Sequence, residues 1–272
     1  LKIYHDSSHS YISEQGTGNL RVLTETFTVN NSANSENMIN ATADGAVELF
    51  HNAIKTFETA ADGITVLGPE GGNAFISFEA DEGDDNADKF DVGVYEGGPF
   101  KIQNKKSGSW EDNVVITGDA GVALYYDNSL TFQTTTGGAI VQAAEGGSAV
   151  LYMSADEGDD AGDRFVLKVD NGDQNFRIRN IASGSWEDNL ICNGNGSVDL
   201  YYDNAKRFAS TSDGVLFKNT GDCVLSFEAG SGPDHWYIRV QDNNFRFLED
   251  ASERMRISNG GNIGAPNGSN IY

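Results

Sequence analysis

The chain has 272 residues and a formal net charge of -23, which excludes a phosphate-backbone binder, since that needs clustered Lys and Arg. The same charge opposes adhesion to anionic lipid. No run approaches the roughly 18 apolar residues of a spanning helix, so neither nucleic acid nor membrane insertion is expected. There are 32 glycines against 4 prolines, a balance that suits many short strands joined by tight turns. Apolar residues almost nowhere recur at helical spacing, so the expected class is all-β.

In chain order, the first region is 1–68. It opens inside a strand-like run, "LKIYHD", and no signal peptide is visible there. "VELFHN" at Val47 repeats this short unit, and "VALYYDN" at Val122 and "VDLYYDN" at Val198 repeat it again. The last three continue into "FETAADGITV", "FQTTTGGAIV" and "FASTSDGVLF". Each reads as strand, polar turn, strand, Gly-containing turn, strand. His5 and His51 occupy the position held by Tyr126 and Tyr202 in the other copies. A position that accepts Tyr is not a required proton shuttle, and an aromatic body with a polar tip suits both. His9 and His235 have no counterparts in the other copies.

A long repeat fills 69–144 and again 145–219. "EGGNAFISFEADEGDD" from Glu70 matches "EGGSAVLYMSADEGDD" from Glu145, an offset of 75. "SGSWEDN" at Ser107 and Ser183 and "LYYDN" at Leu124 and Leu200 are both offset by 76, one residue being inserted in the turn before Phe176. A shortened third copy occupies 220–272, starting "TGDCVLSFEAGSGPDHWYIRV". Such self-similarity governs the fold.

The copies share an alternation. Ala74, Ile76, Phe78 and Ala80 match Ala149, Leu151, Met153 and Ala155, and match Cys223, Leu225, Phe227 and Ala229. The next strand carries Phe90, Val92, Val94; then Phe165, Leu167, Val169; then Trp236, Ile238, Val240. A third carries Phe100 and Ile102, Phe176 and Ile178, Phe245 and Phe247. Period-two spacing on one face predicts half-buried strands. Each long repeat is therefore expected to be a small antiparallel sheet with one wet face. Such a sheet cannot bury its apolar face alone. The expected architecture is tandem small sheets stacked along a homotrimeric shaft, closed around a central axis. The rival is a monomeric array of β-sandwiches.

Between the first two strands of the long repeat lies an acidic hairpin loop, 81–89. Its candidate cation ligands are Asp81, Glu82, Asp84 and Asp85, repeated as Asp156, Glu157, Asp159 and Asp160. The spacing does not match an EF-hand, which needs alternate ligands, a central Gly and a closing Glu. In the third copy the loop shrinks to "GSGPDH", and only Asp234 remains, aligned with Asp88 and Asp163. The flanking strands persist without the acidic loop, so an exposed turn is the preferred reading, with a weak cation site and a catalytic carboxylate cluster as alternatives. A glycosidase needs two carboxylates about 5 to 10 Å apart in a cleft, and no unique pair stands out.

Cys192 aligns with Ile116 and Ile257, and Cys223 with Ala74 and Ala149, so both thiols replace apolar or small core residues. Trp110 and Trp186 sit in turn-like "SGSWEDN", either closing the end of a repeat core or offered to a glycan or protein. No phosphate-binding loop, nucleophile elbow or Cys-x-x-Cys pair is present, and no cofactor is expected.

"ADEGDDNADKF" followed by "FKIQNKKSGSWEDNVVITGDAGV" resembles repeats in tail fibres and related virion adhesion proteins of tailed bacteriophages. "LYYDN…FQTTTGGAIV" and "IYHDSSHSYISEQGTGNLRV" look like a companion repeat of the same proteins, so the resemblance covers nearly the whole chain. "MRISNGGNIGAPNGSNIY" from Met255 is similar to the segment preceding the intramolecular chaperone of endosialidase-type tailspikes. In that family the chaperone drives trimerisation and then releases itself, so the resemblance implies a fibre ending near the release point. The implied function is non-enzymatic host attachment by an extracellular virion fibre. Its partners would be itself, other virion tail proteins and a host surface glycan or protein receptor. The alternatives are a tailspike hydrolysing a surface polysaccharide with carboxylates between chains, and a bacterial surface adhesin.

Overall fold

A computed structural model describes residues 1–118, 121–228, 235–250 and 252–265. The regular structure among them is β-strand, with four single-turn 3-10 helices and no α-helix. The chain divides into two compact units, 1–128 with 132–139, and 129–131 with 140–272.

β1 (Lys2–His5) and β2 (Ser10–Ser13) form a separate hairpin. β3 (Thr26–Asn30), β4 (Asn37–Thr42), β5 (Val47–His51), β6 (Ile54–Ala60) and β7 (Gly63–Val66) form a five-stranded sheet. β8 (Ala74–Glu79), β9 (Lys89–Val94), β10 (Phe100–Asn104), β11 (Glu111–Thr117), β12 (Gly121–Tyr126), β13 (Ser129–Thr135) and β14 (Gly138–Val141) form a sheet of seven. β15 (Ala149–Ser154), β16 (Arg164–Val169), β17 (Phe176–Asn180), β18 (Glu187–Cys192), β19 (Val198–Tyr202), β20 (Ala205–Thr211) and β21 (Gly214–Phe217) form the second sheet of seven. β22 (Cys223–Glu228), β23 (His235–Gln241), β24 (Asn244–Glu249), β25 (Ser252–Ile257) and β26 (Ile263–Gly264) complete the set.

Every sheet is a meander in which sequence neighbours are spatial neighbours. The short unit supplies the last three strands of each sheet of seven at Val122 and Val198 and the last three of the sheet of five at Val47, while the copy at Leu1 forms the separate hairpin. Where the long and short units meet, β11 pairs with β12 and β18 with β19. Asn52–Ala53, Asp127–Asn128, Asp203–Asn204 and Asp242–Asn243 are two-residue connections in which both residues have positive φ. That is the hairpin geometry that matches strand twist, and it leaves the next strand only one place to pair.

The same bulge recurs in all four larger sheets. Register shifts between Val29 and Asn30, Ile102 and Gln103, Ile178 and Arg179, and Phe247 and Leu248. An inserted residue bends the bulged strand and increases local twist, so its fourfold recurrence marks a designed feature.

Strand register gathers the alternating apolar residues on one face. Ile76 faces Val92, Val92 faces Ile102, Ile102 faces Val114, and Val114 faces Leu124. Leu151, Leu167, Ile178, Leu190, Leu200, Phe208 and Phe217 make the equivalent row across the second sheet. This face is not covered. Phe78 is 57% exposed, Phe90 44% and Val169 51%. Among the described residues the buried side chains are Asp91, Gln103, Val166, Ile191, Asp199, Ala209 and Leu248. All seven lie on the opposite, polar face, as their partners Ser77, Asp112, Tyr152, Arg177, Lys206 and Tyr237 show. Long Lys, Arg and aromatic side chains lie flat across that face and cover what is between them. The expected core face is thus continuous but open within one chain.

Candidate functional site

The acidic loop leaves β8 at Glu79 and returns at Lys89, which is already the first residue of β9. Ala80 donates its N–H to the Asp88 carbonyl (3.1 Å), closing the hairpin. Inside it, 3-10 turns span Asp81–Gly83 and Asn86–Asp88, each closed by a backbone bond. The second loop has the same turns, Asp156–Gly158 and Ala161–Asp163. Asp81 and Glu82 have φ of 42 and 63 degrees, and Asp156 and Glu157 have 40 and 63. Paired left-handed non-glycine residues are costly, yet both copies adopt them. Gly83 (φ 69) is buried, and a Cβ there would run into the Glu79 side chain, which fixes glycine at this point.

The carboxylates split into two sets. Asp84, Asp85 and Asp88 come within 4.8 Å of one another, as do Asp159, Asp160 and Asp163. Asp81, Glu82, Asp156 and Glu157 do not join them. Asp88 and Asp163 are the members sequence reasoning passed over as ligands. Their signal was alignment with Asp234, which itself lies outside the described residues. Three carboxylate oxygens are a partial shell for a hard cation. In the second loop two of them already serve the turn. Asp160 and Asp163 form a reciprocal capping box, with Asp160 N–H donating to Asp163 Oδ2 at 3.3 Å. Arg164 Nε also donates to the Gly158 carbonyl (2.6 Å) and clasps this loop from β16. Those bonds support the turn reading.

The "SGSWEDN" turn lies at the same end of each sheet, where Lys105 donates its N–H to the Lys89 carbonyl (3.2 Å). Neither Trp closes an apolar core. Trp110 is 38% exposed under the Lys105 ammonium, 5.7 Å from its ring. Trp186 meets Arg179 (6.0 Å) and Tyr152 (6.2 Å between centroids), both on the polar face. The reason is the bulge: it lies two residue pairs beyond the turn and re-aims the strand entry.

No family model matches the chain, and no curated protein matches it. Among the described residues no helix is long and apolar enough to cross a membrane.

The remaining candidates stay apart. His5 bonds Ser10 Oγ (3.3 Å), His9 packs edge-on to Tyr11, His51 ends β5, and the His235 ring stacks on Tyr237. Tyr126 and Tyr202 hold the His51 position in the other copies, and the Arg207 guanidinium lies over the Tyr202 ring at 5.9 Å. The two tyrosines are 77% and 72% exposed, beside the two-residue turns. Cys192 faces Phe176 and Val198, and Cys223 faces Val240, so both free thiols sit on the apolar face.

The best-developed electrostatics are on the polar face. In the first seven-stranded sheet Asp112 accepts from Lys101 (3.1 Å) and Gln103 (2.6 Å), and Asp91 accepts from Ser77 (2.5 Å). In the second, Asp188 takes Arg177 and Arg179, both at 2.9 Å, Lys168 pairs with Asp170 (2.6 Å), and Lys206 with Asp199 (2.7 Å). Burial pushes the Asp199 carboxyl up, but bonds from Lys206 and Asn193 outweigh it and hold the group below its ordinary range. The Lys168 ammonium, then the Gly172 N–H, hold Asp170 low as well. Asp112, Asp188 and Asp199 are tied to cations across strands, an arrangement that secures a surface.

Proposed function

We propose that the chain is a non-enzymatic structural and adhesion protein. In this reading it is a homotrimeric fibre on the tail of a bacteriophage, or another virion fibre, that attaches to a host surface glycan or protein receptor. The observation that carries the reading is the apolar face. Within each seven-stranded sheet it passes from strand to strand, from Ile76 to Leu124 in the first and from Leu151 to Phe217 in the second, and many of its side chains are exposed. A monomer rarely exposes an apolar patch beyond a few hundred Å², and burying one Leu, Ile or Phe contributes about 1.5–3 kcal/mol. Three copies turning these faces to a common axis would cover them all by closed symmetry, while the ion-paired faces look outward. Repeated sheets then add length, each contacting mainly its neighbours, and the -23 charge keeps the assembly soluble. Affinity for the host would come from several weak contacts held together.

The test is a binding assay. Purified protein added to cells of a susceptible host should adsorb to them and compete with infection in proportion to its occupancy. Release of oligosaccharides from the host polysaccharide, abolished by one carboxylate variant, would overturn the non-enzymatic reading.

A further inference from the structure

Four Asn-Gly steps lie among the described residues: Asn171–Gly172, Asn193–Gly194, Asn195–Gly196 and Asn259–Gly260. An Asn side chain followed by glycine is open to attack by the next backbone nitrogen, because glycine has no side chain to obstruct the approach. The attack needs that nitrogen free of other bonds. In three of the four steps it is engaged. Gly172 N–H donates to Asp170 Oδ1 (3.0 Å), Gly194 N–H to Asn175 Oδ1 (2.9 Å), and Gly196 N–H to the Asn193 carbonyl (2.9 Å).

Asn259–Gly260 differs. It sits in the exposed turn between β25 and β26, where Ser258 N–H donates to the Asn262 carbonyl (2.9 Å) and Gly261 N–H to the Ser258 carbonyl (2.8 Å). No hydrogen bond engages the Gly260 N–H or the Asn259 amide among the described residues, and both residues are exposed. The turn from Asn193 to Ser197 has the same pair of closing bonds, and Gly196 and Gly261 both have positive φ. The two turns differ in where the Asn-Gly step falls. At 193–197 the two steps place their glycines at bonded positions, and at 258–262 the step is shifted by one residue onto an unbonded nitrogen.

We infer that Asn259 is a site of spontaneous backbone-assisted deamidation, and that the fold protects Asn171, Asn193 and Asn195 from the same reaction. Solvent base takes the Gly260 amide proton, and the nitrogen forms a bond to the Asn259 side-chain carbonyl carbon. The C–N bond to the side-chain amide breaks and ammonia leaves, giving a cyclic imide. Water then opens either imide carbonyl, yielding aspartate or isoaspartate at position 259. The product adds a negative charge, and the isoaspartyl form adds a methylene to the backbone. The Ser258–Asn262 register cannot absorb that extra atom, so β26 loses its pairing to β25. The reaction is a one-way clock written into the last described hairpin.

The test is site-resolved peptide mapping of the full chain after incubation in warm, mildly alkaline buffer. An Asn267→Gln background removes Asn267–Gly268, the fifth step, which lies outside the described residues and shares a tryptic peptide with Asn259. The expected result is amide-to-acid conversion at Asn259 on the order of tenfold faster than at the other three, the ratio given by one protecting hydrogen bond of typical strength. Isoaspartate should be detected by its enzymatic methylation. In denaturant the four rates should converge, and Gly260→Ala should suppress the native reaction. Equal native rates at all four sites, or a fastest site other than Asn259, would overturn the inference.

Discussion

The two seven-stranded sheets share their apolar face and differ at many positions of the other, where the pair Lys101–Asp112 still recurs as Arg177–Asp188. On the apolar face the pairs at matching positions are Ile76 and Leu151, Phe90 and Phe165, Val94 and Val169, Ile102 and Ile178, and Leu124 and Leu200. Across the polar face the matches are Ser77 and Tyr152, Asp91 and Val166, Gln103 and Arg179, and Ala123 and Asp199. Burial within one chain runs the opposite way, since Asp91 and Val166 are covered and Phe90 and Phe165 are 44% exposed. The difference teaches which face has a fixed packing problem to solve. Residues that repeat in size and polarity between copies answer to a constant neighbour. Residues that change freely between copies answer only to solvent and to one another.

The sharpest way to break this comparison is to put a charge on each face in turn. Ile178→Asp places a carboxylate on the shared face, and an unpaired charge buried at an interface costs about 3–5 kcal/mol. Size-exclusion chromatography with light scattering should show loss of the assembled species. Tyr152→Ser, which installs the first sheet's residue on the polar face, should leave assembly unchanged. If the two variants behave alike, the distinction between faces fails.

A smaller effect is expected from the polar network. Asp188→Asn leaves Arg177 and Arg179 without their shared carboxylate, and a bond to a charged group contributes roughly 1.5–3 kcal/mol. Urea unfolding should register a loss at the low end of that range, because these side chains are partly solvated.

Acid provides a third probe. Asp170, Asp173 and Asp199 all titrate below the ordinary 3.8 in the folded chain. Their folded values are depressed, so their contribution is complete above the unfolded value and lost as pH falls through the folded values. Melting temperature should therefore hold down to about pH 4 and drop below it. Asp199→Asn should flatten part of that drop, and an unchanged profile would remove Asp199 from the account.

The smallest effect belongs to the acidic loops. Replacing Asp84, Asp85 and Asp88 together with Asn should shift the melting temperature little, as expected for solvated turns. Calcium titration by calorimetry should give no bound heat. Heat that vanishes in this variant would restore the cation reading.

Strand identity was legible because alternation at period two and repeated turn residues both survive in three copies, as the rows from Ala74, Ala149 and Cys223 demonstrate. The union of long and short repeats was less legible. It is made by the pairing of β11 with β12 and of β18 with β19, which strand alternation alone does not specify. The loop was legible as a hairpin but not in its detail. Asp81 and Glu82 take left-handed backbone and stay outside the cluster that Asp88 joins, and residue type alone does not specify such a backbone. The polar-face pairs were also missed. Lys101 with Asp112 and Arg177 with Asp188 are 11 residues apart and meet only once the strand register is known.

The central claim is that the shared apolar face meets copies of itself. The measurement that tests it most directly is the mass of the purified chain in solution, by sedimentation equilibrium across a wide concentration range. The account predicts a single stable species of three times 29.2 kDa. A soluble, folded species that stays at 29.2 kDa throughout would contradict it.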